Sequence, residues 1–267
     1  MLLTGHGGVK RFPISLAQLA PPSPSPSPSP SHNLTILEMF TGLVEIKGVV
    51  SDIKLDSQYG ATLTISNASS ILGDCGLGDS IAVNGICLTV TSFTSDSFTV
   101  GCAPETLRRT NVGSLELNSE VNLERAVSAN TRMGGHFVQG HVDTVAELVK
   151  REEDGEALTL RLKPRDKQVL RYIVEKGYVT LDGASLTITK VDEECFEIML
   201  IAYTQTKIVT ALKKEGEYVN VEVDQIGKYV EKAVEGYFAQ GTGGDIATLE
   251  KMVERIVEAK LAKSAEN

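Results

Sequence analysis

Apolar and polar residues alternate along most of this chain, the period-two mark of strands with one buried face. From Ser80 to Val90 the order is Ser-Ile-Ala-Val-Asn-Gly-Ile-Cys-Leu-Thr-Val. Asn84-Gly85 at its centre suits the two positive φ values of a type I′ turn, so the segment predicts a hairpin. Tyr178 to Ile188 repeats the pattern around Asp182-Gly183. Further strands are predicted over Val44–Ile53, Ala61–Ile65, Ser97–Cys102 and Glu120–Glu124, with Phe40 opening the first. Short helices over Ala68–Leu72 and Gln168–Glu175 are expected to cover barrel ends. After Gly227 the period changes. Tyr229–Ala239 reads as helix, Gly241-Thr-Gly-Gly244 interrupts it, and Ile246, Leu249, Met252, Val253, Ile256, Val257 and Leu261 recur at helical spacing behind Asp245, a candidate cap.

The strand-rich body is one segment written twice. Gly85, Leu88, Thr89 and Phe98 recur 98 positions later as Gly183, Leu186, Thr187 and Phe196, and Val121-Asn122 recurs as Val219-Asn220. A unit this long can bury its own core, unlike the repeats of a solenoid. Six or so short strands per unit, leaving no long exposed edge, suggest a small closed antiparallel barrel. The chain therefore divides into a Ser/Pro-rich extension over 1–38, barrels over 39–135 and 136–228, and a helical segment over 229–267. Ser-Pro alternation from Pro21 to Pro30 gives the extension no route to helix or sheet. Its first twenty residues are mildly basic, a weak hint of organelle targeting, and Met39 stands where the repeat begins.

Composition removes several classes of function. A formal charge of -9 offers no basic face for nucleic acid, and no apolar run is long enough to span a membrane. Cys75, Cys87, Cys102 and Cys195 lack metal-site spacing and read as reduced thiols of a cytoplasmic protein. Arg108-Arg109 reads as a solvated pair. His136 and His141 are too far apart for a helical metal site, and no metal or cofactor is expected.

Chemistry is expected where the copies agree in polar residues. After each turn, Ile86, Leu88 and Val90 point one way and Cys87, Thr89 and Thr91 the other, as Ala184, Leu186 and Ile188 oppose Ser185, Thr187 and Thr189. The aliphatic sets fill the barrels, which leaves Cys87-x-Thr89 and Ser185-x-Thr187 on the outer walls. A polar outer wall is ordinary by itself; its recurrence beside an identical Leu-Thr is what points to a site. The copies also differ, with His141 opposite Leu43 and Asp224 opposite Ala126.

Met39-Phe-Thr-Gly-Leu-Val-Glu45, Asn84-Gly-Ile-Cys-Leu-Thr-Val90, Glu105-Thr-Leu-Arg-Arg-Thr-Asn111, Gly134-Gly-His-Phe-Val-Gln-Gly-His141 and Asp182-Gly-Ala-Ser-Leu-Thr-Ile188 together resemble the signature segments of the alpha-type riboflavin synthase family. The resemblance runs from Met39 to about Val230. It implies a mainly β fold of two tandem six-stranded antiparallel Greek-key barrels with a C-terminal helix, assembled as a homotrimer. It also implies dismutation of two 6,7-dimethyl-8-ribityllumazine molecules, bound two per site, without metal or cofactor. By that resemblance one half-site comprises Gly42, Leu43 and Val44 with Cys87, Leu88, Thr89 and Gly101, Cys102, Ala103, Pro104, Glu105 and Thr106. The other comprises Gly140, His141 and Val142 with Lys176, Ser185, Leu186, Thr187 and Met199, Leu200, Ile201, Ala202, Tyr203 and Thr204. Ser80, Cys87, His141, Ser185 and Asp224 are the candidates for proton transfer or transient addition. A non-catalytic lumazine- or flavin-binding antenna protein of the same family is the alternative.

Overall fold

The computed structural model describes residues 39–56, 60–128, 132–239, 250–256 and 258. The Ser/Pro-rich stretch 1–38, Gly241, the cap candidate Asp245, and Ile246, Leu249, Val257 and Leu261 lie outside the described residues.

Each repeat closes into a six-stranded antiparallel barrel. The first contains β1 (Ile46–Asp56), β2 (Gly60–Ser66), β3 (Ser80–Val83), β4 (Ile86–Phe93), β5 (Phe98–Cys102) and β6 (Glu120–Arg125), in the order β1-β2-β5-β4-β3-β6. The second contains β7 (Thr144–Asp154), β8 (Ala157–Pro164), β9 (Tyr178–Leu181), β10 (Ala184–Val191), β11 (Phe196–Leu200) and β12 (Tyr218–Val223), in the same circular order. Register shifts fall between Val50 and Asp52 and between Val90 and Ser92, and again at Leu148/Lys150 and Ile188/Lys190. Bulges at matched places sharpen strand bending where so small a barrel must close. Apolar side chains of alternate positions fill both barrels, with Phe98 and Phe196 fully buried in equivalent places.

The expected helices at the barrel ends are 3-10 turns, Ser69–Ile71 and Lys167–Tyr172. Three to six residues are too few to propagate an α-helix, and a tighter turn buries Ile71 and Val169 over the barrel mouths. Two short helices escape the sequence pattern, α1 (Pro104–Arg109) and α2 (Ala202–Lys207), again 98 residues apart. On α1, Arg108 and Arg109 pair with Glu105 at the surface. A longer helix, α3 (Gln225–Ala239), follows the second barrel. Phe40 opens no strand: it makes an isolated bridge to Val138, and β1 begins at Ile46.

Hairpin turn meets hairpin turn where the barrels join. Asn84 (φ 47°), Gly85 (φ 75°), Asp182 (φ 44°) and Gly183 (φ 85°) all take the left-handed region that a type I′ turn requires. The turns touch so closely that a Cβ on Gly85 would lie 2.5 Å from the Gly183 nitrogen. Around them runs a buried amide network with the symmetry of the repeat. Asn122 donates through Nδ2 to the Asp182 carbonyl, and Asn220 donates to the Asn84 carbonyl, both at 2.8 Å. Asn122 Oδ1 accepts from the Val209 amide, and Asn220 Oδ1 from the Asn111 amide. Asn84 Oδ1 accepts from Asn122 N, as Asp182 Oδ1 does from Asn220 N.

The network has one charge-bearing member. Burial pushes the Asp182 carboxyl up to about 6, against the pull of Lys213, the Asn220 amide and Asn111. Its Oδ2 has no hydrogen-bond partner among the described residues. A carboxyl whose folded pKa is raised weakens the fold as pH climbs from its unfolded value near 3.8 through about 6. Asp182→Asn, which installs the first repeat's residue, is expected to stabilise the protein by on the order of 1–3 kcal/mol at pH 8 and by little at pH 4. Urea denaturation midpoints at the two pH values test this.

Candidate functional site

The alternation predicted for the walls is present. Leu88, Leu186, Ile86 and Ala184 are buried, while Cys87 and Ser185 are half-buried and Thr89 and Thr187 are exposed on the outside. What lies on each wall differs from the grouping implied by the resemblance. The segment 40–45 crosses to the second barrel, where the Gly42 carbonyl accepts from the Ser185 amide at 2.8 Å and Val44 packs on that barrel's core. Reciprocally, the Gly140 carbonyl accepts from the Cys87 amide at 2.9 Å and Val142 packs on the first barrel's core. Gly42, Leu43 and Val44 therefore belong with Ser185, and Gly140, His141 and Val142 with Cys87. Positive φ at Gly42 (77°) and Gly140 (75°) permits the crossing.

On the second barrel this builds a cleft of about 460 Å³. Gly42, Leu43 and Val44 line one side, Ser185 and Leu186 the floor, and Tyr203, Thr204 and Lys207 the other side. The segments expected to contribute, Met199–Leu200 on β11 and Ile201–Thr204 entering α2, run to this rim, with Met199, Ile201, Ala202 and Tyr203 exposed and Leu200 in the core. In the first repeat, Gly101 and Cys102 end β5, Ala103 precedes α1, and Pro104, Glu105 and Thr106 form its first turn. Cys102 is buried in the barrel, and burial raises its thiol to about 11, so it is core rather than chemistry. His141 is exposed and follows Gly140, whose carbonyl meets the Cys87 amide. Ser80 is buried next to Thr89 in register, with its hydroxyl lacking a hydrogen-bond partner among the described residues. Lys176, exposed with φ 67°, and Asp224 do not line the Ser185 cleft. Asp224 instead lines a separate recess with Tyr172, Tyr178 and Val230.

Two features of the site were not anticipated. His136 is buried with Nδ1 2.7 Å from the Ser185 hydroxyl and Nε2 3.2 Å from that of Thr180, and its ring stacks on Tyr178. Burial holds its pKa below the ordinary histidine value, while the charge of Asp224 pulls upward. The second feature is a pair of buried glutamates. Glu124 accepts from Thr41 N, Thr41 Oγ1 and Gly42 N at 2.7–3.1 Å. Glu222 accepts from Gln139 N and His141 N at 2.7 and 3.0 Å. Burial pushes both carboxyls up to about 7. Their signal was legible in part, since 124 and 222 are one repeat apart.

Twin antiparallel barrels that exchange wall segments, with a cleft over Ser185 on the second, define a class of duplicated-barrel proteins. The lumazine binding domain model matches residues 41–126 and 139–224. Riboflavin synthase of Schizosaccharomyces pombe is 60% identical over 201 residues, covering 75% of this chain and 96% of that protein. The Bacillus subtilis riboflavin synthase is 47% identical over 192 residues, covering 72% and 88%. The chain belongs to the riboflavin synthase family. Among solved structures, LumP complexed with riboflavin shares the fold, with a TM-score of 0.64 at 22% identity over 70% of this chain and all of that one.

A side chain at either crossing glycine tests the exchange of segments. A Cβ on Gly42 would lie 2.6 Å from Ser185 Cβ, and one on Gly140 2.7 Å from Cys87 Cβ. Gly42→Ala and Gly140→Ala are each expected to cost about 1–3 kcal/mol, from positive φ and the forced contact. Thermal unfolding checks the magnitude.

Proposed function

We propose that the chain catalyses the riboflavin synthase reaction. One 6,7-dimethyl-8-ribityllumazine gives a four-carbon unit to a second, yielding riboflavin and 5-amino-6-(D-ribitylamino)uracil. The two products contain all atoms of the two substrates, so no oxidant, reductant or outside group donor enters the balance. The carrying observation is the repeat itself: two copies of a lumazine binding domain, each with a polar pair on its outer wall, in a chain up to 60% identical to riboflavin synthases.

Two identical substrates stacked face to face need two related half-sites, and holding them together supplies much of the acceleration. Strand and helix-entry amides around Cys87 and Ser185 are suited to the ring carbonyls, where charge gathers once the C7 methyl loses a proton. His141 follows the Gly140 laid on Cys87 at one wall, while Ser185 and His136 hydrogen-bond at the other, so each half-site has a group able to carry a proton. Purified protein incubated with the lumazine alone should form riboflavin; binding without turnover would favour the antenna reading. Cys87→Ser and His141→Gln should lower kcat about 10–100-fold with a smaller change in ligand affinity. A loss confined to affinity would remove both from the chemistry.

The complete site belongs to an assembly in this reading, a homotrimer in which a first barrel faces a neighbour's second barrel. Support comes from exposed apolar side chains: Ile226, Tyr229, Val230, Val234 and Phe238 on α3, and Met252, Val253 and Ile256 beyond it. The cytoplasmic location expected from composition is part of the same proposal. Ending the chain at Gly241 should shift the assembly toward monomer and make specific activity depend on protein concentration. Sedimentation velocity with an unchanged species would exclude the terminal segment as the clasp.

A further inference from the structure

We propose that Glu124 and Glu222 are positioning residues that act across the chain: each sits at the end of one barrel's last strand and sets the wall of the other barrel's half-site. This inference rests on the functional reading above for its ligand, though not for its geometry.

Each carboxylate is almost fully enclosed, at 6% and 2% exposure, and each is spent on the backbone of a crossing segment rather than on a cation. Glu124, on β6 of the first barrel, holds Thr41 and Gly42. Gly42 in turn is the residue whose carbonyl meets Ser185 on the second barrel. Glu222, on β12 of the second barrel, holds Gln139 and His141 on either side of Gly140, whose carbonyl meets Cys87 on the first. A second tie closes each segment in the opposite sense. Glu45 accepts from the Arg125 amide and Asp143 from the Val223 amide, in each case the residue after the glutamate. The crossing segment is thus stapled at both ends to its own barrel's last strand, and its middle is laid on the other barrel. Burial of a carboxyl costs desolvation, and the hydrogen bonds from the crossing segment offset part of that cost. What it fixes is the wall that carries Leu43 and Val44 over Ser185, and His141 and Val142 over Cys87.

Glutamine keeps the shape but points an amide N–H₂ at one of the donors, so Glu124→Gln and Glu222→Gln loosen one staple each. Thr41→Val is a milder companion, since it removes the hydroxyl that donates to Glu124 and accepts from the Leu43 amide but keeps both backbone bonds to the carboxylate. Hydrogen exchange followed by mass spectrometry, on the full chain with and without riboflavin as the probe, reads both effects by segment. Glu124→Gln and Thr41→Val are expected to speed exchange over 40–45. Riboflavin protection over 184–187 and 202–208 should then need about tenfold more ligand in Glu124→Gln, a charged hydrogen bond's worth, while protection over 86–89 and 104–110 is unchanged. Glu222→Gln should show the reverse, with faster exchange over 138–143 and weakened protection on the first barrel. A general structural role would weaken both half-sites alike in each variant, and that result, or protection unchanged in both, overturns the proposal. If Glu124→Gln does not fold, Thr41→Val must still show the one-sided loss. Failure of the wild type to bind riboflavin would count against the functional reading alone, because the exchange rates of the crossing segments still test the staples.

Discussion

Everything in this molecule hangs on the contact between two hairpin turns. Two backbones can approach as Gly85 and Gly183 do only without side chains between them, and only if the turn polar groups find partners away from water. The repeated asparagines solve both problems. Each of Asn122 and Asn220 offers an amide that donates into the opposite turn and accepts from the opposite repeat's backbone, at Val209 and Asn111 respectively. An unsatisfied buried group costs about 1–3 kcal/mol, so removing one partner strands another across the interface. Cooperation of this kind makes two barrels one body.

A fixed junction is what lets the amino-terminal segments exchange. With the barrels held turn to turn, residues 40–45 and 138–143 run side by side, bridged at Phe40 and Val138, and each lands on the far wall. Phe40 is entirely buried in this seam with Ala82 and Val138, and it packs against Cys87. The half-sites are consequently properties of the pair of barrels. Neither repeat, cut out of the chain, would carry its own wall.

Much of the fold was legible because its signals are local. Alternation around Asn84-Gly85 and Asp182-Gly183 fixes the hairpins, faces and core, since a slip of one residue would turn Leu88 and Leu186 outward. The repeat offset carries the second barrel from the first. The crossing was not legible, because nothing within Thr41-Gly42-Leu43 says which barrel it will meet; that depends on a junction 40 residues away along the chain and more. α1 and α2 are too short to show a helical period, although Pro104 after an extended residue is a start signal. His136 was missed as a Ser185 partner because its counterpart position, Glu38, precedes the first repeat, and its neighbours Thr180 and Ser185 come from another part of the chain.

The differences between the copies bear on the chemistry more than the agreements do. On the first wall the positions around Cys87 are small: Ser80 and Ala82 on β3, with His141 overhead on the crossing segment. On the second wall the equivalent places hold Tyr178 and Thr180, with His136 laid between them and Ser185. One wall therefore carries a thiol under the segment that bears an exposed imidazole, and the other a hydroxyl already engaged by a buried one. A dismutation requires that two identical molecules be treated differently, one losing a four-carbon unit and the other receiving it. In the reading proposed above, duplication supplies the matched seats and the unequal histidines the inequality that the reaction needs.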